Sequence, residues 1–598
     1  MSKHPAIKIH LCCLIWLVAA LLIGCRDYGV EENNAQENVL SRFDAHGRAW
    51  LYLEIPLGTD ILTRSSFDDG NENEYAVHNV MIVLFRGTGS EDELTVASTY
   101  IFTDWEEKGK AYQISKRLQI NSSNIEKEDD IYLLAILNAT PTIGIGTKFE
   151  NVKTILSDIT TTANSNNYFV MSNAPLAANN NGTGTVNTLV YLPPSFFFAT
   201  EEEAAANPAA QIYVERAAAK VTVSTATTPP TTILGNPNIT FTATDLNYTL
   251  DNYNENSTLV RQFNADWLPY RSAAGNPLRF VEAIALPFQP ACYRTYWAQD
   301  QNYSDVPGTN STPALTFKPH AQRTDITWKG MGTNSYCAEN TFDAAYQQDN
   351  CTTSILVRLQ LNGGNDFYTT SVTGSDIVYL APHNSVSEEG TSAESSFSRQ
   401  HRSPAISAKT IDEYLRTWLM QVNPDFRQWV NDYAAGEPKH VNICVVGDAE
   451  TGLATVAKVT QTARATNSAG ATAFTALNLE TYFSNNITIH YYKEGYCYYR
   501  VPIRHFTDDE TPWESVASMT SNTTGQAYQA SGEYTADKRY LGRYGLVRNN
   551  WYTIDIRSIT HVGSPIIPVL TTNADDMVEQ LLNTTLNISP WTIHDTPL

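Results

Sequence analysis

The chain has 598 residues, too many for one ordinary hydrophobic core, so two domains of a few hundred residues or fewer are expected. Hydrophobic residues make up 42% of the sequence and aromatic residues 11%, which indicates a globular protein with buried cores. The 40 basic and 63 acidic residues give a net charge of −23, and no Lys/Arg-rich run could follow a phosphate backbone, so nucleic acid is excluded as a partner.

The N-terminal segment predicts export. Lys3, Lys8 and His10 precede the apolar run LCCLIWLVAALLI at 11–23. This run is too short to span a bilayer as a permanent helix, but it suits the core of a signal peptide.

The four residues that end this region resemble the lipobox of bacterial lipoproteins. In Leu22-Ile23-Gly24-Cys25, a small residue precedes the cysteine, which lets a peptidase reach the bond. The resemblance implies that Cys25 becomes the acylated first residue after signal cleavage. Acyl chains anchor a protein to a membrane without spanning it.

The segment AWLYLEIPL at 49–57 alternates with period two, as a half-buried strand does. One face carries Ala49, Leu51, Leu53, Ile55 and Leu57. The other face carries Trp50, Tyr52, Glu54 and Pro56.

Later segments are predominantly strand-like. VHNVMIVLF at 77–85 is apolar on both faces, which predicts a central strand. Asn, Gly, Pro and Thr clusters separate the further strand candidates IYLLAILNA, NYFVMS, TLVYL, KVTVST, ITFTATDL and SILVRLQL. The sequence therefore predicts a mainly β fold.

Helical periodicity is scarce and is clearest in TIDEYLRTWLMQV at 410–422. Thr410 and Glu413 form a capping-box pattern there. The predicted apolar face consists of Ile411, Leu415, Trp418, Leu419 and Val422. Asn423 and Pro424 predict the start of a second short helix through Trp429, so we expect helical insertions packed on a sheet.

Five of the eight cysteines remain if the signal is removed and Cys25 is lipidated. No CxxC is present, which argues against a zinc ribbon or a redox site. Cys337 and Cys351 could form a disulfide in an oxidising compartment. They could equally be small buried residues.

No familiar catalytic signal occurs in the sequence. GxxxxGK[ST], GxGxxG, HExxH and GxSxG are all missing, and no two histidines have ligand spacing. Adjacent acids such as Asp129/Asp130 and Asp575/Asp576 point apart on a strand or loop. We therefore expect a protein that is not an enzyme and has no cofactor and no metal.

Three stretches together with the lipobox resemble the fimbrillin family of the Bacteroidales, most closely its longer branch, the stalk subunits of the minor fimbria. They are ERAAAKVTV at 215–223, YGLVRNNWYTIDIRSITHVGSPIIPV at 544–569 and LNISPWTIHDTPL at 586–598. YCAENTF at 336–342 is similar to a shorter family element. The resemblance is ordered from end to end, and its C-terminal blocks are the most specific.

The resemblance implies a two-domain, transthyretin-like β-sandwich lipoprotein with a few helical insertions. The composition shift in ATEEEAAANPAAQ at 199–211 is where we expect the domain junction. The predicted organisation is a signal peptide at 1–24, a propeptide at 25–64, an N-terminal domain at 65–210, a C-terminal domain at 211–575 and a donor strand at 576–598.

The resemblance further implies assembly by a type V pilus mechanism, in which an arginine-specific surface protease removes the N-terminal strand. AWLYLEIPL would be that strand, and cleavage would follow Arg64 and leave Ser65 as the new terminus. Arg48 is the competing site. Cleavage after Arg48 would leave the apolar strand in place and open no groove.

The C-terminal segment is expected to refill the groove of a neighbouring subunit, because its apolar residues imitate those of the removable strand. Leu586 and Ile588 share one face, and Trp591 and Ile593 follow a phase shift at Pro590. The alternative is an ordinary last strand that pairs within its own domain.

These features predict a structural subunit of a cell-surface fimbria that polymerises with itself and serves adhesion and biofilm formation. Its expected partners are anchor and tip subunits, the protease and an unidentified surface receptor, first at the outer membrane and then in the fimbrium. The alternatives are a monomeric outer-membrane lipoprotein that binds glycan or a host ligand, and a fimbrial anchor or accessory subunit. An exported hydrolase would need a convergent site that the sequence does not reveal.

Overall fold

The fold is described by a computed structural model. It covers residues 38–56, 74, 76–107, 113–159, 168–225, 231–233, 240–268, 278–283, 285–286, 292–298, 300, 317–318, 326–342, 346, 348–371, 378–380, 410–461, 468–506, 541–559, 562–571 and 582–590.

Fourteen strands are described up to residue 225. They are β1 (Arg48–Pro56), β2 (Val80–Gly87), β3 (Thr95–Phe102), β4 (Glu106–Glu107), β5 (Gln113–Asn121), β6 (Asp130–Leu137), β7 (Leu156–Asp158), β8 (Met171–Asn173), β9 (Leu176–Ala177), β10 (Val186–Asn187), β11 (Val190–Leu192), β12 (Ala210–Gln211), β13 (Val214–Arg216) and β14 (Ala218–Thr225). Two short helices accompany them, α1 (Phe149–Val152) and α2 (Glu201–Ala206).

The rest of the chain adds further strands and four longer helices. The strands are β15 (Thr231–Ile233), β16 (Thr240–Thr242), β17 (Thr244–Asp251), β18 (Tyr253–Asn254), β19 (Asn256–Thr258), β20 (Tyr293–Arg294), β21 (Phe317–Lys318), β22 (Lys329–Gly330), β23 (Asn334–Ala338), β24 (Ser354–Gln360), β25 (Phe367–Ser371), β26 (Val378–Leu380), β27 (Val441–Asp448), β28 (Leu453–Gln461), β29 (Thr488–Tyr492), β30 (Tyr496–Pro502), β31 (Asn550–Ile559) and β32 (Leu582–Pro590). The helices are α3 (Ile411–Val422), α4 (Pro424–Tyr433), α5 (Ser468–Ala476) and α6 (Leu479–Asn486).

The first core lies between two sheets. One has the order β12-β1-β5-β4, and the other has the order β13-β8-β6-β2-β3 with β11 added beside β6. The β2 strand lies between β6 and β3, and all of its residues from Val80 to Phe85 are buried. Its apolar character on both faces is therefore explained, and the predicted central strand is confirmed.

A second core lies between a sheet of order β16-β15-β31-β14-β23, with β32 beside β31, and a sheet of order β22-β17-β24-β30. The inward side chains of β14 and β31 meet those of β24 and β30 in one apolar cluster. Most pairings are antiparallel, but β14 and β31 run parallel, from Lys220 opposite Trp551 to Thr225 opposite Ile556.

The helices α3 to α6 cover one face of a third sheet, of order β26-β25-β29-β28-β27. Thr410 caps α3 by accepting the N–H of Glu413, as the sequence predicts, and Asn423 caps α4 by accepting the N–H of Phe426. The predicted apolar face is buried except for Val422, whose side chain is 42% exposed because it ends the helix where the chain turns away. The second helix also continues past Trp429 to Tyr433.

The consecutive strands β13 and β14 connect the first pair of sheets to the second. β13 pairs with β8 in the first sandwich, and β14, two residues later, pairs with β23 and β31 in the second. The mainly β fold built of packed sheets is confirmed. The five residue ranges given above for the domains stay a prediction.

The cysteines of the described residues are free thiols: Cys292, Cys337, Cys351, Cys444 and Cys497. Cys337 and Cys351 are both buried, in different apolar clusters. Burial raises the pKa of the Cys337 thiol to about 12, which makes it a poor nucleophile. In this fold the two residues act as small core side chains.

Candidate functional site

Strand β1 is held on both of its edges. It pairs antiparallel with β5 over its whole length, from Arg48 opposite Asn121 to Pro56 opposite Gln113. On the other edge, Trp50 and Phe198 exchange two backbone hydrogen bonds of 2.7 and 3.0 Å. A strand with partners on both edges is an interior strand, although it lies close to the N-terminus.

The inward face of β1 forms part of the first core. Ala49, Leu51, Leu53 and Ile55 are each at most 1% exposed. The predicted burial of this face is confirmed for these four residues, and Leu57 lies outside the described residues.

The outward face of β1 is also partly covered. Tyr52 is only 5% exposed, and its hydroxyl donates a 3.1 Å hydrogen bond to Oε1 of Glu54. The helix α2 packs over β1 and β5, and its Ala204 is fully buried. The strand is therefore more enclosed than its alternating sequence indicates.

A tight turn fixes the start of β1. The Asp44 carboxylate accepts the backbone N–H groups of His46 at 2.8 Å and Arg48 at 2.9 Å, and Nε of Arg48 at 3.0 Å. Gly47 has a φ of +69° in this turn, and a Cβ there would lie 2.7 Å from Oγ of Ser122. The hydrogen bond from the Arg48 backbone lowers the pKa of Asp44, so this turn favours the ionised carboxylate.

Arg48 is thus placed in a paired strand and a closed turn. A protease that binds its substrate as an extended chain would have to break these contacts first. The other predicted processing residues, Cys25, Arg64 and Ser65, lie outside the described residues.

The last described strand, β32, pairs antiparallel with β31 of its own chain. The register sets Leu586 opposite Ile554 and Ile588 opposite Tyr552, with an irregularity between Ile556 and Ser558. Leu586 is partly buried and packs on the second core. Within the described part of the chain, β31 is the only strand that pairs with β32, so β32 is an edge strand. Trp591 and Ile593 lie outside this part.

The sequence motifs at 215–223, 336–342 and 544–569 meet in a buried polar network. In the first motif, Glu215 forms a buried ion pair with Arg261, whose Nε donates a 2.8 Å hydrogen bond to it. Burial raises the pKa of Glu215, and the Arg261 charge opposes this shift. In the third motif, the buried Arg548 forms an ion pair with Glu339 of the second motif.

Asn549 joins the first and third motifs through both its backbone and its side chain. Its N–H donates to the carbonyl of Ala218 at 2.8 Å, and its Oδ1 accepts the N–H and Nη1 of Arg216, each at 3.3 Å. Asn549 has a φ of +58°, a left-handed conformation that asparagine tolerates better than most residues. The network therefore spans the point where the chain passes between the sandwiches.

The exit turn after β31 depends on a close backbone approach. Ser564 exchanges backbone hydrogen bonds of 2.8 and 2.9 Å with Tyr498. A Cβ on Gly563 would lie 2.4 Å from the Tyr498 carbonyl oxygen, so this position requires glycine. The GSPIIP sequence thus turns the chain away from β31 across β30.

The described residues contain neither a candidate metal site nor a candidate membrane-spanning helix. Among them, no group of three or more His, Cys, Asp or Glu side chains could hold a metal ion. No helix in the part of the chain that the structure describes is long and apolar enough to cross a membrane.

The C-terminal part of the chain matches a known family model. Residues 490–596 match the family model described as "Major fimbrial subunit protein type IV, Fimbrillin, C-terminal". This segment is similar to the C-terminal region of fimbrillins. It runs from within β29 to beyond β32, and it includes the motif at 544–569 and all but the last two residues of the motif at 586–598.

The resemblance to the fimbrillin family is thereby confirmed, whereas the stalk subtype stays a prediction. The fimbrillin match supports a role as a fimbrial subunit at the cell surface. A search of curated proteins finds no matching sequence.

Three solved structures match the chain at low sequence identity. A candidate cell adhesion protein from Parabacteroides distasonis shares 11% identity, with 91% of this chain and 98% of that chain covered at a TM-score of 0.35. One from Bacteroides eggerthii shares 9%, with 90% and 96% covered at 0.30. The C-terminally truncated tip fimbrial protein Mfa3 from Porphyromonas gingivalis shares 11%, with 57% and 83% covered at 0.25.

Sequence reasoning missed the role of several polar residues in this region. Glu215, Arg548 and Asn549 lie within the sequence motifs. Arg261, the partner of Glu215, lies outside all three motifs, and Glu339, the partner of Arg548, lies in the least specific one. Glu74 has no motif around it at all. Such residues are recognised because acidic side chains are rarely fully buried unless they are paired, and their burial is visible only in the structure.

Proposed function

We propose that this chain is a structural subunit of a cell-surface fimbria, of the stalk type, that polymerises with copies of itself. It is made as a lipoprotein precursor acylated on Cys25 and reaches the outer membrane. An arginine-specific protease then cleaves after Arg64, removes the segment that contains β1, and leaves Ser65 as the new N-terminus. The C-terminal strand of another subunit fills the vacated position.

The observation that carries the proposal is the placement of β1 between two neighbours. If β1 departs, β5 loses a partner along nine residues, and Phe198 and the segment at 210–212 lose theirs. The two edges that become free face each other across one strand's width. Such a gap accepts an added strand by backbone hydrogen bonding on both sides.

The apolar side chains of β1 set the energy scale of this exchange. Leu51, Leu53 and Ile55 are fully buried, and burying each such side chain contributes about 1.5–3 kcal/mol. Together they represent roughly 5–9 kcal/mol that a processed subunit lacks until a replacement strand enters. This deficit is the driving force for polymerisation in the proposal.

The C-terminal strand supports the proposal by its position at an edge. β32 contacts its own sheet through β31, so it can leave without separating two other strands. Leu586 is only partly buried in its own subunit and would be fully buried in a groove like that of β1. Leu586, Ile588, Trp591 and Ile593 are the proposed donor residues.

The finer parts of the proposal rest on the resemblance stated above. They are the lipid anchor, the arginine-specific protease, the anchor and tip subunits as partners, and a role in adhesion and biofilm formation. The acidic surface agrees with a soluble subunit that is exported before it assembles.

One observation favours a second candidate function, a fimbrial anchor or a monomeric surface lipoprotein. The pairing of β32 with β31 in the same chain is what a subunit that donates no strand would show. Glycan binding through stacked tryptophans gains less support, because Trp297 is 2% exposed and lies in an apolar cluster.

The deciding experiment is intact mass and N-terminal sequencing of the protein from its native cell surface, with monomer separated from heat-resistant polymer. We expect polymeric chains to begin at Ser65 and monomeric chains at acylated Cys25. An Arg64→Ala variant should remain monomeric, whereas the matched control Arg48→Ala should be processed and polymerise. If all chains begin at Cys25 and none is polymeric, the anchor or monomeric lipoprotein is the better account.

A further inference from the structure

Glu74 is a buried acid that lies ten residues downstream of Arg64 and six residues before β2 begins at Val80. It is 1% exposed. Its carboxylate lies 3.0 Å from Nζ of Lys220 and accepts a 2.6 Å hydrogen bond from the hydroxyl of Tyr336. Lys220 belongs to β14 and Tyr336 to β23, so both partners lie on the second sandwich.

The backbone of Glu74 is held as well. Its carbonyl oxygen accepts a 2.8 Å hydrogen bond from Nε of Arg216, and the same guanidinium donates to Oδ1 of Asn549. Burial lowers the pKa of Arg216 to about 10, so the guanidinium stays charged at neutral pH. Glu74 is therefore fixed at two points by residues of the ERAAAKVTV and RNNWYTIDI motifs.

The charge of Glu74 matters because of where Lys220 lies. Lys220 is 1% exposed, and its ammonium lies over the Trp551 ring. A buried ammonium without its carboxylate would be strongly destabilised, since the protein interior solvates charge poorly. The Glu74–Lys220 ion pair thus attaches Glu74, which precedes β2, to the second sandwich, in addition to the hydrogen bond from Tyr336.

The residues that follow Glu74 are held by a different group. Asn138, at the end of β6, donates from Nδ2 to the carbonyl of Ala76 at 2.8 Å and accepts the N–H of His78 at 2.7 Å. These contacts belong to the first sandwich. Glu74 is therefore attached to the second sandwich, and Ala76 and His78 are attached to the first.

We propose that Glu74 is a positioning residue that holds the new N-terminal segment of the processed subunit on the second sandwich, through Lys220 and Tyr336. Proteolysis at Arg64 then frees β1, while β2, the next strand among the described residues, keeps its place. Without this attachment, the loss of β1 would leave the start of β2 held only by contacts within the first sandwich. The inference rests on the proposed function and deepens it.

The test is hydrogen–deuterium exchange of the segment 76–87 in the full-length precursor and in the processed chain. We expect Glu74→Gln to exchange at least about 10-fold faster there, with a larger effect after processing. The control Glu202→Gln, an exposed glutamate of α2, should match the parent protein. Exchange in β25 and β29, which belong to the third sheet, should not change.

A double variant separates the attachment from a general loss of folding. Glu74→Gln/Lys220→Met removes both charges, so no unpaired ammonium is left buried. We expect this double variant to unfold globally at the same midpoint as the parent protein. We do not expect it to recover the slow hydrogen–deuterium exchange of residues 76–87 in the processed chain. Slow exchange in the processed Glu74→Gln chain would overturn the inference.

A failure of the proposed function would give a different experimental result from a failure of this inference. If no chain in the native polymer begins at Ser65, the fimbrial assembly route fails whatever the exchange data show. If chains do begin at Ser65 and the exchange of 76–87 is the same in Glu74→Gln and the parent protein, assembly stands and the attachment through Glu74 fails.

Discussion

The Lys220 ammonium lies 3.3 Å from the centroid of the Trp551 ring, although 331 residues separate the two in sequence. The parallel pairing of β14 and β31 sets them directly opposite each other. The Trp551 indole N–H also donates a 2.8 Å hydrogen bond to Oγ1 of Thr222. One tryptophan thus makes a cation–π contact and a hydrogen bond to two residues of the neighbouring strand.

This contact predicts a graded loss of stability at Trp551. Trp551→Leu removes the ring and the hydrogen bond and should lower the free energy of unfolding by about 2–4 kcal/mol. Trp551→Phe keeps a ring under Lys220 and should cost about 1 kcal/mol. Denaturant titration followed by circular dichroism measures both. As a control, Trp328→Leu, whose ring lies 4.7 Å from the partly exposed Arg358, should cost less than Trp551→Leu.

The proposal for β1 predicts that a core substitution in this strand lowers the free energy of unfolding of the precursor but not that of the processed subunit. Leu53→Ala should lower the free energy of unfolding of the precursor by about 2–5 kcal/mol, because it leaves a cavity in the first core. It should have no effect on the processed subunit, which no longer contains Leu53. Val83→Ala in β2 is the matched control and should destabilise both forms. Equal losses from Leu53→Ala in both forms would mean that β1 is retained.

The C-terminal strand predicts a selective defect in assembly. Leu586→Asp places a charge where the proposal requires an apolar side chain, and a buried unpaired carboxylate costs several kcal/mol. Heat-resistant polymer should be lost, and the monomer should fold, because Leu586 is only partly buried there. Asn587→Asp, the next residue along, serves as the control and should polymerise. Gel electrophoresis without boiling reads out the polymer.

His505 predicts a specific contribution to acid sensitivity. The buried imidazole hydrogen-bonds the Tyr552 hydroxyl at 2.7 Å, and burial, reinforced by Arg294 and Arg261, lowers the pKa of His505 to about 3. The folded state therefore binds fewer protons than the unfolded state between pH 3 and the ordinary histidine value of 6.5. This contribution is fully present above pH 6.5 and is lost as the pH falls towards 3.

A His505→Gln variant tests this dependence. Thermal unfolding midpoints of the variant and the parent protein should diverge between pH 6.5 and 3, because the parent loses up to about 1.4 kcal/mol per pH unit that the variant does not. The difference should be constant above pH 7. Parallel curves throughout would show that the fold does not lower the pKa of His505.

The sequence predicts well those features that depend on near neighbours. The alternation from Ala49 to Ile55 and the uniform apolarity from Val80 to Phe85 each determine burial within one strand, and Thr410 caps its helix within one turn. Val422 departs from the pattern because the helix ends there, a boundary that periodicity locates poorly.

The contacts that join distant parts of the chain could not be predicted in this way. Glu74, Lys220 and Trp551 come from three separate regions, and only the order of the strands in the sheet brings them together. The alternating pattern likewise places Tyr52 on the outward face of β1, whereas the structure buries it. The cause is α2, which packs over β1 and lies about 150 residues later in the chain. Periodicity within a strand carries no information about such partners.

The position of β1 between two neighbours also has a mechanical consequence. A strand in that position is bonded on both edges, so tension along its axis loads many of its hydrogen bonds at the same moment. A strand held only at one edge and pulled across its axis breaks its bonds one after another. In the proposed fimbria, the occupant of this position would link each subunit to the next, and the filament would resist flow and traction without any covalent bond between subunits.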